Sequence, residues 1–217
     1  MDKRFWAIIG ALLIIFFGFV AINNNSKEAT ATTPTSNIFG KADSTVKFIV
    51  YGDFQCPACQ GFEGMLTQGR EKYKDSIAFQ FRHLPLTQIH QNAFAASRAA
   101  EAAAKQGKFW EMHDALYVQS NWQVWTTASD PTTYFQQYAR SLQLDATKFS
   151  ADFKSTAVNG AINADVAEFD KTGQQKATPA FFLNGKVVES SKLLDAQGQP
   201  SLEAFSKLID EALAKQQ

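Results

Sequence analysis

A run of β-branched and aromatic residues, TVKFIVY at 45–51, leads within five residues into CPAC at 56–59, and the cysteines open a stretch with helical spacing. Strand, cysteine pair and helix in that order leave few folds open. On the helix, Phe62, Met65, Leu66 and Tyr73 share one apolar face. Gly61, Gly64 and Gly69 each cost up to about 1 kcal/mol of helix propensity, which close packing against a sheet would explain. A second strand follows at IAFQFRHLPL, where Ile77, Phe79 and Phe81 alternate with Gln80 and Arg82. Together these segments make a βαβ unit.

Helical patterns dominate from about 90 to 173: NAFAASRAAEAAAKQG, KFWEMHDALYVQ, DPTTYFQQYARSLQL and TAVNGAINADVAEFDKTG. Asp130 before Pro131 is a helix start, a capping carboxylate followed by a residue with φ preset for the first turn. Strand patterns return at AFFLNGKVVES, where Asn184-Gly185 between apolar runs is a two-residue hairpin signal. The chain closes on an amphipathic helix with Ser201 as cap and Leu202, Phe205, Leu208, Ile209 and Leu213 on one face. The order is therefore βαβ, a helical block, then ββα, and an apolar content of 45% is enough to bury a core.

The first residues point to a compartment. Phe5 to Ile22 form an uncharged apolar run of 18 residues, roughly 27 Å long as a helix at about 1.5 Å per residue and just able to span hydrocarbon. Lys3 and Arg4 precede it, so residues 1–4 are expected in the cytoplasm and the rest outside, in a single-pass cell-membrane protein with an extracytoplasmic catalytic domain. A cleaved signal peptide shares the basic start, but the run is long for one and no small-residue cleavage site ends it. Residues 23–44 are polar and read as a flexible linker. With 21 basic and 21 acidic residues and no basic cluster, nothing invites nucleic acid.

Cys56 and Cys59 are the only cysteines. Half a zinc site would need two more ligands, and His83, His90 and His113 offer no pair at ligand spacing. A staple across so small a loop removes little chain entropy from the unfolded state, and two buried free thiols are a further alternative. The redox reading has a mechanism at each position. With Cys56 as N-cap and Pro57 and Ala58 in the first turn, unpaired N–H groups and the helix dipole favour a Cys56 thiolate. Cys59, one turn in, is the higher-pKa partner that resolves a mixed disulfide.

CPAC after a strand, RHLPL at 82–86, HQNAFAASRAAEAAAKQGKFWEMHDALY at 90–117 and ATPAFFLNGK at 177–186 together resemble the DsbA-like thiol–disulfide oxidoreductases, in particular their membrane-tethered branch. The resemblance runs from about Thr45 to the C-terminus. It implies an α/β, thioredoxin-like fold over 45–217 with an inserted all-helical domain at about 88–173, preceded by one transmembrane helix. It implies catalytic Cys56 and Cys59 supported by Pro57, Ala58, Thr178 and Pro179, with Pro179 in a cis peptide bond that holds the Thr178 backbone near Cys56 for strand-like pairing with substrate.

No cofactor is expected and no metal-ligand set is read from the sequence, although some relatives hold calcium; the partners that the resemblance implies are reduced or unfolded secreted polypeptides and a quinone-linked membrane thiol oxidase. Two positions depart from the family pattern. No histidine lies between the cysteines, and Val50 stands where many relatives place a buried acid, six residues before the first cysteine. Disulfide formation is the expected reaction. Reduction or isomerisation at the same site, or a non-catalytic peptide-binding module, are the alternatives.

Overall fold

The computed structural model describes residues 33–215. The apolar run 5–22 and most of the expected linker lie outside them, and among the described residues no helix is long and apolar enough to cross a membrane.

A five-stranded sheet has the order β1-β3-β2-β4-β5. Its strands are β1 (Asn37–Gly40), β2 (Lys47–Gly52), β3 (Ala78–His83), β4 (Ala180–Leu183) and β5 (Lys186–Val188). β2 runs parallel to β3 with Val50 opposite Phe81, and antiparallel to β4 with Val50 opposite Phe181. Helix α1 (Pro57–Lys72) connects β2 to β3, which makes the βαβ unit real. The β4–β5 hairpin turns at Asn184 and Gly185, both at positive φ (49° and 77°), as an Asn-Gly turn requires. The closing helix α8 (Leu202–Ala214) is capped by Ser201, whose hydroxyl accepts from the Ala204 N–H at 3.2 Å.

Between β3 and β4 lie six helices among the described residues: α2 (Ala93–Ala104), α3 (Phe109–Tyr117), α4 (Gln119–Trp125), α5 (Thr132–Ser141), α6 (Ala146–Phe153) and α7 (Thr156–Asp170). The alanines of α2 are buried nearly throughout, so small side chains let α3, α6 and α7 approach it closely. Trp125, Phe135 and Phe149 fill the centre of this block. A second core, between the sheet, α1 and α8, is built on Phe48, which packs against Phe79, Phe181 and Phe205. Each such fully buried side chain contributes about 1.5–3 kcal/mol by area removed from water.

Three expectations change. The linker expected over 23–44 includes an ordered segment: Asn37–Gly40 pairs with β3 as an edge strand, and Thr35 donates its N–H and hydroxyl to the buried Asp165 carboxylate at 2.8 and 2.7 Å. β3 does not alternate, because α7 and the Thr35 segment cover its second face: Gln80 is buried and donates to the Thr35 carbonyl at 3.1 Å, and Arg82 pairs with Asp165 of α7. Of the three α1 glycines only Gly69 is explained by packing, since a Cβ there would meet the Phe205 ring at 2.6 Å, while Gly61 and Gly64 face open space.

Candidate active site

The turn between β2 and α1 is built around Asp53, which is completely buried. One carboxylate oxygen accepts from the Gln55 N–H at 2.8 Å; the other accepts from the Leu86 N–H at 2.8 Å and pairs with His90 Nδ1 at 2.7 Å. A side chain that accepts from the N–H two residues on is the way aspartate builds a turn. The helical insertion grips the same turn. Trp122 Nε1 donates to the Phe54 carbonyl at 2.8 Å, the Tyr117 hydroxyl to the Asp53 carbonyl at 3.2 Å, and Gln55 Nε2 to the Thr126 carbonyl at 2.9 Å.

Cys56 is the N-cap of α1, with extended backbone (φ −71°, ψ 123°) and Pro57 directly inside the helix. Pro57 and Ala58 thus occupy the first turn. Thr178–Pro179 is a cis peptide bond, and the Cys56 thiol donates to the Thr178 carbonyl at 3.4 Å. The structure therefore brings all six expected site residues to one place. Both cysteines are free thiols, 6% and 4% exposed, so the pair lies at the edge of the core rather than on the surface.

Their environments push the two thiols apart. Cys56 is lowered from 9.0 to about 5, first by the hydrogen bond the Cys59 thiol offers its thiolate, then by Thr178 and the first-turn N–H groups of Cys59 and Ala58, with burial opposing. Cys59 is pushed well up, first by burial and then by the neighbouring Cys56. The Thr178 hydroxyl is buried and makes no hydrogen bond in the dithiol; beside both sulfurs, it holds both values down. A thiolate at Cys56 and a thiol at Cys59 is the division of labour that disulfide exchange needs.

Behind Cys59 lies a charged cluster that the sequence pattern did not single out. Glu63, on α1, accepts from the Thr67 hydroxyl at 2.8 Å and lies 3.6 Å from Arg70 and 3.8 Å from His113. His113 Nδ1 pairs with Asp114 at 2.9 Å, and Arg70 also pairs with Asp114 while its guanidinium stacks on Trp110. Burial raises Glu63, partly offset by His113 and Arg70. Candidate metal-ligand atoms of Glu63, His113 and Asp114 lie within 4.8 Å of one another. The Arg70 guanidinium already lies against both carboxylates and its positive charge repels a second cation, which makes the cluster a poor cation site. A signal for Glu63 was present: it follows Cys59 by four residues, on the same helical face one turn on. His113 had none, since only the fold brings α3 against α1.

Fold and dithiol define the class: a thiol–disulfide oxidoreductase on a thioredoxin fold. The chain belongs to the thioredoxin family whose model, described as "Thioredoxin", matches residues 32–211. Among solved structures it resembles α-DsbA1 of Wolbachia pipientis, with 22% identity, a TM-score of 0.66, and 85% of this chain and 94% of that one covered. It also resembles oxidised BdbD of Bacillus subtilis, with 20% identity, a TM-score of 0.65, and coverage of 87% and 100%. A curated relative from Mycolicibacterium gilvum, named Na(+)/H(+) antiporter NhaA 1, is 33% identical over 152 residues, 69% of this chain. The match spans only 23% of that relative's length.

Proposed function

We propose that this protein is a membrane-anchored, extracytoplasmic oxidase that introduces disulfides into reduced secreted polypeptides. A substrate thiolate attacks the Cys56–Cys59 disulfide at Cys56, and Cys59 leaves as the thiolate. A second substrate thiol then displaces Cys56, which leaves a disulfide in the substrate and a dithiol in the enzyme. Reoxidation falls to a membrane partner, a quinone-linked thiol oxidase. The carrying observation is the placement of Cys56 at the N-cap of α1 with its thiol 3.4 Å from the Thr178 carbonyl of the cis-proline bond, where the Cys59 thiol and the first-turn N–H groups lower its pKa to about 5. A thiolate stabilised in the reduced form makes Cys56 the better leaving group and the disulfide the stronger oxidant.

The membrane anchor rests on the 5–22 run and its basic flank. Ion transport, which the longer relatives' name describes, is not carried over to a chain matching a quarter of their length. Reduction or isomerisation is the second reading, favoured by Pro57 and Ala58, which bring no cationic side chain to the thiolate. The test is the reduction potential of the full chain, titrated against glutathione. A value near about −120 to −180 mV supports the oxidase, and one near about −270 mV supports a reductase. A protein that neither oxidises a dithiol peptide nor reduces insulin would instead be a peptide-binding module.

A further inference from the structure

His90 is bonded to the turn between β2 and α1, yet disulfide exchange as described above makes no use of it. Asp53, three residues before Cys56, is completely buried, and a buried carboxylate is stable only where donors replace the water it has lost. Oδ1 accepts from the Gln55 N–H and Oδ2 from the Leu86 N–H, each at 2.8 Å. His90 Nδ1, 2.7 Å from Oδ2, is the third partner and the one side chain of the three. The loop after β3 is shaped to deliver it. The His90 N–H donates to the Leu86 carbonyl at 2.9 Å, a single closed turn that brings the Leu86 N–H and the His90 ring to the same oxygen.

We propose that His90 is a positioning residue for disulfide exchange: its Nδ1–H, held on Asp53, fixes the turn that sets Cys56 at the mouth of α1. The inference rests on the exchange reading of the dithiol. The path from ring to sulfur is short. The Asp53 carbonyl accepts from the Cys56 N–H at 3.1 Å and from the Tyr117 hydroxyl at 3.2 Å, so one residue joins the His90 loop, the Cys56 backbone and α3. It also reaches the second sulfur: Cys59, pushed up first by burial, is drawn partly back by a hydrogen bond from the Asp53 backbone.

Without the His90 donor, Oδ2 keeps one partner in a place closed to water. The carboxylate must then turn toward solvent or take up a proton, and either change weakens its hold on Gln55 and Leu86. The extended Cys56 backbone, at φ −71° and ψ 123°, loses its support with them. No neighbour can stand in. The other titratable groups against this turn are the two cysteines of α1 and Tyr117 of α3, which is kept neutral first by burial and then by Cys59, and whose hydroxyl is committed to the Asp53 carbonyl.

The experiment reads the sulfur rather than the histidine. Cys56 ionisation is followed in the reduced full-length protein by ultraviolet absorbance from pH 4 to 8, and its attack on oxidised glutathione by rapid acid quench over the same range. In His90→Ala the Cys56 pKa, about 5 in the wild type, is expected to rise by about one unit, the loss of about one hydrogen bond to the thiolate. Mixed-disulfide formation at pH 5 then slows about fivefold with the thiolate fraction, while the rate at pH 8 stays within about twofold. His90→Asn places an amide N–H where Nδ1 stood and should restore both values, which separates the bond from the bulk and charge of the ring. In an Asp53→Asn background, adding His90→Ala should change nothing further, as it must if His90 acts through that carboxylate. An unmoved Cys56 titration in His90→Ala, or an asparagine variant as impaired as the alanine one, would overturn the positioning role and leave exchange intact. A wild-type protein whose Cys56 ionises but never attacks glutathione would instead overturn the exchange reading on which the role rests.

Discussion

The two sulfurs of the CPAC motif are three residues apart and sit in opposite worlds. Cys56 faces backbone: the first-turn N–H groups of α1, the Thr178 carbonyl and the cis-proline strand end, with its thiolate stabilised to about 5. Cys59 faces the interior, against a small cavity and a cluster of paired charges, with its thiol pushed well above 9.0. Helix geometry sets up the difference, since an N-cap lies outside the first turn and a residue three positions on lies under it, and burial of Cys59 and the Thr178 strand end beside Cys56 complete it. The same hydrogen bond serves both, because the Cys59 thiol that stabilises a Cys56 thiolate is itself discouraged from ionising.

The largest test of this asymmetry is substitution of each sulfur. Cys56→Ser should abolish exchange with any thiol substrate, whereas Cys59→Ser should form mixed disulfides that persist on a non-reducing gel. Equal behaviour of the two variants would end the comparison. Next comes the structural floor under both cysteines. Phe54 lies between them and the insertion, stacked on Phe81 at 5.1 Å and in contact with His113 and Tyr117. Phe54→Ala should lose about 3–5 kcal/mol in urea unfolding, and a loss under 1 kcal/mol would mean the two halves of the site are not coupled through this ring.

A pH series sharpens the contrast. A group whose folded pKa is depressed stabilises the fold fully above its unfolded value and loses that contribution as pH falls through the folded one. For the dithiol that window runs from 9.0 down to about 5 and belongs to Cys56; Cys59, raised, stays a thiol below 9.0 and adds nothing. The disulfide form lacks the term. Urea unfolding of both forms from pH 9 to pH 4 should therefore show the dithiol losing stability relative to the disulfide, with the difference flattening below about pH 5. Carboxylates change both forms alike and cancel, so parallel curves would refute the low Cys56 pKa.

Much of this arrangement was legible in the sequence for a physical reason. An N-cap cysteine, a proline inside the first turn and an Asn-Gly hairpin are local devices whose geometry is written in adjacent residues. What the pattern did not show was set by distant partners. β1 is four residues long, too short for a period, and exists because β3 offers it an edge and because Gly40, at φ 85°, can lie against the Lys74 carbonyl where a Cβ would stand 2.7 Å away. The helices α4 and α6 were likewise missed, although Asp145 caps α6 by accepting from the Thr147 and Lys148 N–H groups, a signal as local as Asp130. His113 reaches Glu63 across fifty residues of chain, and no reading of either neighbourhood alone would join them.

The smallest predicted effect bears on the one group that both sulfurs share. The Thr178 hydroxyl is buried, unbonded in the dithiol, and placed to donate to a thiolate at either position. Thr178→Val keeps the shape and the backbone carbonyl that Cys56 contacts, and removes only the donor. The Cys56 pKa should rise by roughly one unit, the size expected for loss of one hydrogen bond to a charged group at about 1.4 kcal/mol per unit. Ultraviolet absorbance of the thiolate against pH measures it directly. Because the reduced form loses that stabilisation, the potential should move toward reduction by about 30 mV. Its direction is informative: a rise at Cys56 means the hydroxyl serves the thiolate, whereas an unmoved Cys56 would leave the first-turn N–H groups and the Cys59 thiol as the whole source of its acidity.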